Sequence, residues 1–419
     1  MWRVPPRRLR RLTRAVLPLL VVAAVVSGCG GDEGSSSPTV RRVGSDYDTI
    51  QEAVDAARPG DLVLIAPGTY REQVKVSTPR IVIRGEDRNK VVLDGSDKLL
   101  NGISVTADQV AVENLTVQRY AINGVIFTGD YDNDDPQDGP VGWRASYVTA
   151  ANNGLYGLYA FGTGPGRFDH NYASGHPDSG IYVGQCKKCG AVVIDNVVEH
   201  NAIGYENTNA SGVVVARNVA RGNRIGMAIN SANTEVLAPQ RGGAVVANLV
   251  VDNDDPDTPE TKGGFGVGIA VAGGQDNRIE RNVVRGHPFA GIVLIDQDGF
   301  WPLDNRVVDN RLSGNGNGIV LAAEQGGAPE VGSTCVEGNG TGPTRPSALA
   351  DLLRCGRAGS ADLPPSPLEQ PSAPDGIPYS EVVRPGPQPQ MPGAAEEKWT
   401  VPSRTPEKVD LDSLRAPAS

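Results

Sequence analysis

The chain of 419 residues carries a formal net charge of −10, 52 glycines, 32 prolines and only 5% aromatic residues. An acidic body of this kind is repelled by polyanions, which argues against a nucleic acid as partner. Few aromatics and many glycines fill a conventional globular core poorly, but they suit a fold that turns every few residues.

Six arginines, Arg3, Arg7, Arg8, Arg10, Arg11 and Arg14, precede an uncharged stretch from Ala15 to Ser27. That stretch is too short to span a bilayer comfortably and reads as an export signal. It ends in Val26-Ser27-Gly28-Cys29, which resembles the lipobox of bacterial lipoproteins, where small residues precede a cysteine that is diacylated and becomes the new N-terminus. The resemblance implies a signal peptide over residues 1–28, lipidation at Cys29 and a protein held on the outer face of the cell membrane. Residues 29–42, Gly/Ser-rich from Gly30 to Ser37, form the expected tether. Loss of the leader removes its six arginines and no acid, taking the formal charge from −10 to −16.

Next, Thr49 to Ala57 has the pattern of a short amphipathic helix ended by Pro59-Gly60. Short apolar runs follow at Asp61–Ala66, Val74–Val76, Arg80–Arg84, Val91–Leu93, Gly102–Thr106, Val110–Val117 and Gly124–Phe127. The middle of the chain repeats openly. Asp195-Asn196-Val197-Val198-Glu199-His200-Asn201 returns 22 residues later as Arg217-Asn218-Val219-Ala220-Arg221-Gly222-Asn223. Variants begin at Asn171, Asn248, Asn282 and Asn310, each followed by a second Asn or His five residues on, and most lead to a Gly-initiated strand such as Gly180–Val183 or Gly291–Leu294.

A period in the twenties with several short β-runs and no helical pattern indicates a β-solenoid. Stacking such turns about 4.8 Å apart pairs each strand in parallel with its copies and lines up the inward apolar residues. A recurring bend Asn can then hydrogen-bond to its copy in the next turn. The same reasoning assigns His176 and His287 to ladder positions. The expected architecture is all-β, a parallel β-helix solenoid over residues 43–333. The helix at Thr49–Ala57 caps its N-terminal end, and residues 334–358 cap the other.

Four cysteines besides Cys29 lie in a chain expected to be exported, so disulfides are the default. Cys186 and Cys189 enclose a tight loop between two strand-like runs, which favours a staple over a redox pair. Cys335 and Cys355 flank a Gly-rich loop and the helical run Ala348–Leu353. Residues 359–419, with Pro364, Pro365, Pro385, Pro387, Pro389 and Pro392, read as a disordered tail.

Thr49 to Asp61, followed by Ile65-Ala66-Pro67-Gly68-Thr69-Tyr70, resembles the N-terminal cap and first turn of the right-handed parallel β-helix proteins of the pectate-lyase-like superfamily, and the PbH1-type repeats extend the likeness over residues 43–333. The resemblance implies right-handedness. It implies little about activity, because the superfamily includes polysaccharide lyases, hydrolases, esterases and epimerases, tailspikes, adhesins and NosD-like copper-maturation proteins.

If Ile181 and Val183 point inward, Tyr182 points outward, and the register stacks it between Tyr159 and Glu206, with Gln185, Asn207, Asn209 and Asn230 nearby. Tyr159, Tyr182, Glu206 and Asn207 are therefore the expected carbohydrate-facing residues, since Tyr stacks on sugars and Glu and Asn bind hydroxyls. Phe168-Asp169-His170-Asn171 is similar to an Asp-His turn of pectate lyases, and Gly175-His176-Pro177-Asp178-Ser179 to the His/Asp motif of alginate epimerases, but both overlap the structural repeat. Asp130, Asp132 and Asp134 imitate the start of a calcium loop, although Asp135 stands where that loop needs glycine. Calcium is thus the candidate ion; copper would favour His and Met ligands, and the chain has four His and only Met227 and Met391 besides the initiator. The expected function is a monomeric surface lipoprotein that binds, and in one version cleaves or epimerises, acidic polysaccharide. The alternative is a non-catalytic surface scaffold or adhesin.

Overall fold

A computed structural model describes residues 37–129, 136–261, 263–340, 342–356, 363–370 and 372–418. Cys29 and its leader, and Asp130, Asp132 and Asp134, lie outside them. The described strands form three parallel sheets. Sheet 1 has 12 strands, running from Val40–Val43 to Cys335–Glu337. Sheet 2 has 10, from Gly68–Tyr70 to Arg311–Ser313, and sheet 3 has 11, from Val74–Val76 to Thr344–Arg345. The chain visits sheets 1, 2 and 3 in turn, making a right-handed parallel β-helix. The first strand begins within the expected tether, and the last falls within the expected C-terminal cap.

The 22-residue spacing is one full coil. Val192, Val197 and Ile203 pair with Val214, Val219 and Ile225 in the three sheets. Between sheets 1 and 2 the chain turns on two residues, a left-handed one such as Asp195 (φ 58°) or Arg217 (φ 56°) and then the ladder Asn. Asn171, Asn196, Asn218, Asn248, Asn282, Asn310 and Asn339 form a buried column in which each Nδ2 donates to the Oδ1 of the next, at 2.8–3.0 Å. The other Nδ2 hydrogen of Asn218 goes to the carbonyl of Val193 at 2.9 Å, and its Oδ1 also accepts the backbone N–H of Asn196. An amide offers two donors and two acceptor lone pairs, so the column satisfies the side chain fully.

A second column at the next bend runs Asn153, His176, Asn201, Asn223, Asn253, His287, Asn315. The following glycines belong to it physically. A Cβ on Gly204 would lie 2.6 Å from the carbonyl oxygen of Gly226 and 2.9 Å from Asn223 Nδ2, so only glycine lets the strand start this close to the ladder.

His176 is completely buried, and burial pushes its pKa down to about 4 from 6.5. The unfolded chain takes up that proton first as pH falls, so His176 contributes stability that is full above about 6.5 and lost toward about 4. Most other members of its column are Asn, so His176→Asn should fold normally and lose part of the acid sensitivity, read from urea midpoints at two pH values. An unchanged acid slope would show that His287, which burial likewise lowers to about 4, or the carboxylates set it.

At the N-terminal end, Ile50–Ala56 (α1) starts on a capping box of Thr49 and Glu52 and buries Ile50, Ala53 and Val54 over the first coil. The other end is covered by Leu349–Leu352 (α2), with Leu349 and Leu353 in the core. The Cys335–Cys355 and Cys186–Cys189 disulfides are formed.

The proline-rich tail has no α-helix or ladder strand among its described residues, only single 3-10 turns at Tyr379–Glu381 and Leu411–Ser413. What composition did not reveal is where its extended backbone lies. It runs back along the solenoid, bridging Ala323 at Pro367 and Pro259 at Ile377. It then passes Asn152, whose Nδ2 donates to the carbonyls of Tyr379 and Val382, and reaches Gly60, whose carbonyl accepts from Trp399 Nε1. There it reverses and returns over sheet 1 to place Leu411 and Leu414 on Ala244 and Val246.

Candidate functional site

On sheet 3, Ile181 and Val183 belong to the core, so the intervening Tyr182 faces outward. It pairs with Tyr159 in the preceding coil and Glu206 in the following one. The Tyr159 and Tyr182 rings stack with centroids 4.9 Å apart and planes 14° from parallel. Phe161 stacks on Tyr159 at 5.7 Å, and Tyr156 touches Tyr159 and Tyr182 at 4.7 and 4.9 Å. Such offset ring pairs contribute about 0.5–1.5 kcal/mol each beyond their burial. Tyr156, Tyr159 and Phe161 are partly exposed, whereas Tyr182 is 5% and Glu206 8% exposed.

Glu206 ends this stripe. Its carboxyl accepts from Ser179 Oγ, from Thr208 Oγ1 at 2.9 Å and from Asn230 Nδ2 at 2.9 Å. Burial, reinforced by Asp178, pushes it up to about 7, so near neutral pH it can hold or release a proton. Glu235 also interacts with Tyr182. Burial raises its pKa, while Asn209 Nδ2 at 2.9 Å and the Tyr182 hydroxyl oppose the shift. Burial also holds the Tyr182 and Tyr156 phenols well above their usual range, so both remain hydrogen-bond donors.

Asn207 is not on this face. It pairs with Val183 and Ile229, both in the core, and is completely buried; its Nδ2 donates to the carbonyl of Ala210. Strand alternation, which turns Glu206 outward, turns its neighbour inward. Asn209 and Gln185 anchor the 231–237 loop, through Ala232 and Leu237 respectively. Tyr156, Phe161, Ser179, Thr208 and Glu235 complete the site. Phe161 and Thr208 were reachable by extending the alternation two residues past Tyr159 and Glu206. Tyr156 and Glu235 come from a strand start and a loop, where no periodic signal exists.

The two short motifs divide between core and surface. In Phe168-Asp169-His170-Asn171, Phe168 is core and Asn171 ladder, while the Asp169 carboxylate accepts from Arg167, His170 and Ser146. Burial would raise the Asp169 pKa, but these partners together hold it below the usual carboxylate value. In Gly175-His176-Pro177-Asp178-Ser179, His176 is ladder, whereas Asp178 and Ser179 stand beside Glu206. Asp252, Asp254, Asp255 and Asp257 form another acidic stretch, in which Asp255 pairs with His200 at 2.7 Å and accepts from the backbone of Asp257.

The family model for periplasmic copper-binding protein (NosD) matches residues 102–328, more than half of the chain. No curated protein matches the sequence significantly. Among solved structures, the mannuronan C-5 epimerase AlgE6 A-module of Azotobacter vinelandii is similar at 16% identity and a TM-score of 0.57, over 70% of this chain and 83% of that one. Its AlgE4 counterpart gives 18% and 0.54 over 71% and 84%. The pectate lyase Pel9A gives 15% and 0.50 over 85% and 96%. At these identities the likeness is one of fold.

Copper, which the family's description names, finds no fitting donor set among the described residues. His176 and His287 spend their ring nitrogens in the ladder. His170 and His200 pair with Asp169 and Asp255, Met227 is buried in the core, and four cysteines are in disulfides. No group of three or more His, Cys, Asp or Glu is placed to hold a metal among those residues. By the match over residues 102–328 the chain belongs to the family described as periplasmic copper-binding protein (NosD).

Proposed function

We propose that this chain is an exported, lipid-anchored β-helix protein that binds polysaccharide along the Tyr159–Tyr182–Glu206 face. The carrying observation is the cluster of four aromatic rings that ends on Glu206. Partly exposed rings offer flat apolar faces to sugar C–H groups. Glu206, Asn230 and the tyrosine hydroxyls supply the few oriented polar groups that a sugar site needs. Location rests on the arginine-rich leader and the Val26-Ser27-Gly28-Cys29 sequence. That the similar solved structures include mannuronan epimerases and a pectate lyase supports a polysaccharide as ligand. Cleavage or epimerisation of an acidic polymer is the enzymatic version, with Glu206 as the group able to exchange a proton near neutral pH.

A non-catalytic scaffold is the second reading, favoured by the near-complete burial of Tyr182 and Glu206. A glycan array with the mature protein, paired with assays for unsaturated or epimerised product, each with and without calcium, tests both. Binding without product keeps the site and discards the enzyme. Absence of any bound glycan discards the polysaccharide reading, and a calcium requirement would assign a role to Asp130, Asp132 and Asp134.

A further inference from the structure

Sheet 1 presents a second, chemically opposite surface. Arg80, Arg84, Arg144 and Arg167 line one cleft of about 770 Å³, opposed on the sheet side only by Glu113 and Asp169. The cleft floor is thus cationic, in a chain whose formal charge is −10. Glu113 bridges Arg84 and Arg144, and Arg144 Nε is buried without an acceptor. By contrast, the ionisable groups around the Tyr159–Tyr182–Glu206 face are the acids Asp178, Glu206 and Glu235 and the tyrosines.

The roof of this cleft is the returning tail. Arg84 Nη1 donates to the carbonyl of Lys398 at 2.9 Å, Arg144 Nη2 to that of Thr400 at 3.3 Å and Gln109 Nε2 to that of Pro402 at 2.8 Å. Trp399 packs on the apolar patch of Leu62, Leu64, Val82 and Ala111. Just before the reversal, the buried Arg88 meets only neutral acceptors: the carbonyls of Pro389 and Val148 and the hydroxyl of Thr149, each at 2.8–2.9 Å. At Arg84, Arg88 and Arg144 the tail therefore offers neutral carbonyls where a carboxylate would bind roughly twice as strongly. It joins no sheet here, and its ion pairs to the solenoid, Arg404–Asp108 and Arg42–Glu397, are more than one-third exposed on both sides. Gln388, Gln390 and Met391 add hydrogen bonds to Asp87, Arg88, Asn89 and Asn114, but a segment held by side chains and single carbonyls, with no backbone ladder of its own, opens before the solenoid does.

We propose that this cleft is a site for a linear, carboxylate-bearing oligosaccharide, and that residues 387–407 form an intramolecular strap that occupies it until displaced. The proposal rests on the polysaccharide reading and adds where acidic sugars bind and what regulates access. If the closed form outnumbers the open one about tenfold, apparent affinity falls by the same factor.

The test compares the full mature chain with a variant ending at Gly386, using calorimetry with an oligogalacturonate and with a neutral glucan oligomer as probes. The shortened chain should bind the oligogalacturonate about tenfold more tightly. Adding Arg144→Ala and Arg167→Ala should abolish that gain, and neutral-glucan binding should not change. Trp399→Ala in the full chain loosens the strap without removing it and should give an intermediate gain, which covers the case of a shortened chain that does not fold. Equal affinities in the full chain, the shortened chain and Trp399→Ala, or a gain that survives loss of both arginines, would overturn the strap. If binding of either glycan persists unchanged in all of these yet is lost in Tyr182→Ala, the strap alone fails. If no variant binds any glycan, the polysaccharide reading fails as well.

Discussion

Replacing Asn218 by alanine should lower the stability of the solenoid by about 1–3 kcal/mol, the cost of one buried donor left unsatisfied. The Asn218 Oδ1 accepts both the backbone N–H and the side-chain Nδ2 of Asn196, at 3.0 and 2.9 Å; the side chain keeps the carbonyls of Phe168 and Ile194, so the buried backbone N–H is the donor left without a partner. The Val193 carbonyl loses a donor in the same substitution. The effect should be larger in mid-column than at Asn339, the last member, which is only partly buried. Urea denaturation of Asn218→Ala and Asn339→Ala checks this: the first midpoint should fall far more than the second. Equal small losses would mean that the ladder is not a principal source of stability. A deficit of this size is a large fraction of the total for most domains, so the Asn218 variant should also show a sharply lower yield of folded protein.

Glu206→Gln should reverse a stability slope. The Glu206 pKa is raised from 4.5 to about 7, first by burial and then by Asp178. Between those two values the folded chain holds a proton that the unfolded chain has released, so stability falls as pH rises from about 4.5 to about 7 and stays reduced above that. The penalty is on the order of 3 kcal/mol, at about 1.4 kcal/mol per pKa unit. His176 and His287 work in the opposite direction over part of this range, so the informative quantity is wild type minus variant, in which they cancel. Glutamine carries no charge to bury. The variant should match wild type near about pH 4 and exceed it at about pH 8. A constant difference at every pH would show that Glu206 titrates normally and would remove its role as a proton-exchanging group.

Much of the architecture was legible because the solenoid repeats its physics. Asn196 and Asn218 declare the coil length, and alternation around Ile181 and Val183 aims Tyr182 outward, so the stack of Tyr159, Tyr182 and Glu206 follows from the repeat. The misplacement of Asn207 came from adjacency in sequence overriding the same alternation. Other features are set by contacts that have no period. Glu235 is brought to Tyr182 by the 231–237 loop that Asn209 and Gln185 hook, and Arg84, Arg144 and Arg167 converge through coils of unequal length. The path of the tail is set by single anchors such as Trp399 on Gly60, which proline content does not encode.

The aromatic face ending on Glu206 is the proposed polysaccharide site. It is tested most directly by titrating the strongest glycan-array ligand into wild type, Tyr159→Ala and Tyr182→Ala, with urea midpoints confirming that each is folded. Loss of one stacked ring should weaken binding by about tenfold or more, about 1.4 kcal/mol or above. Folded variants that bind as tightly as wild type would show that polysaccharide does not bind this face.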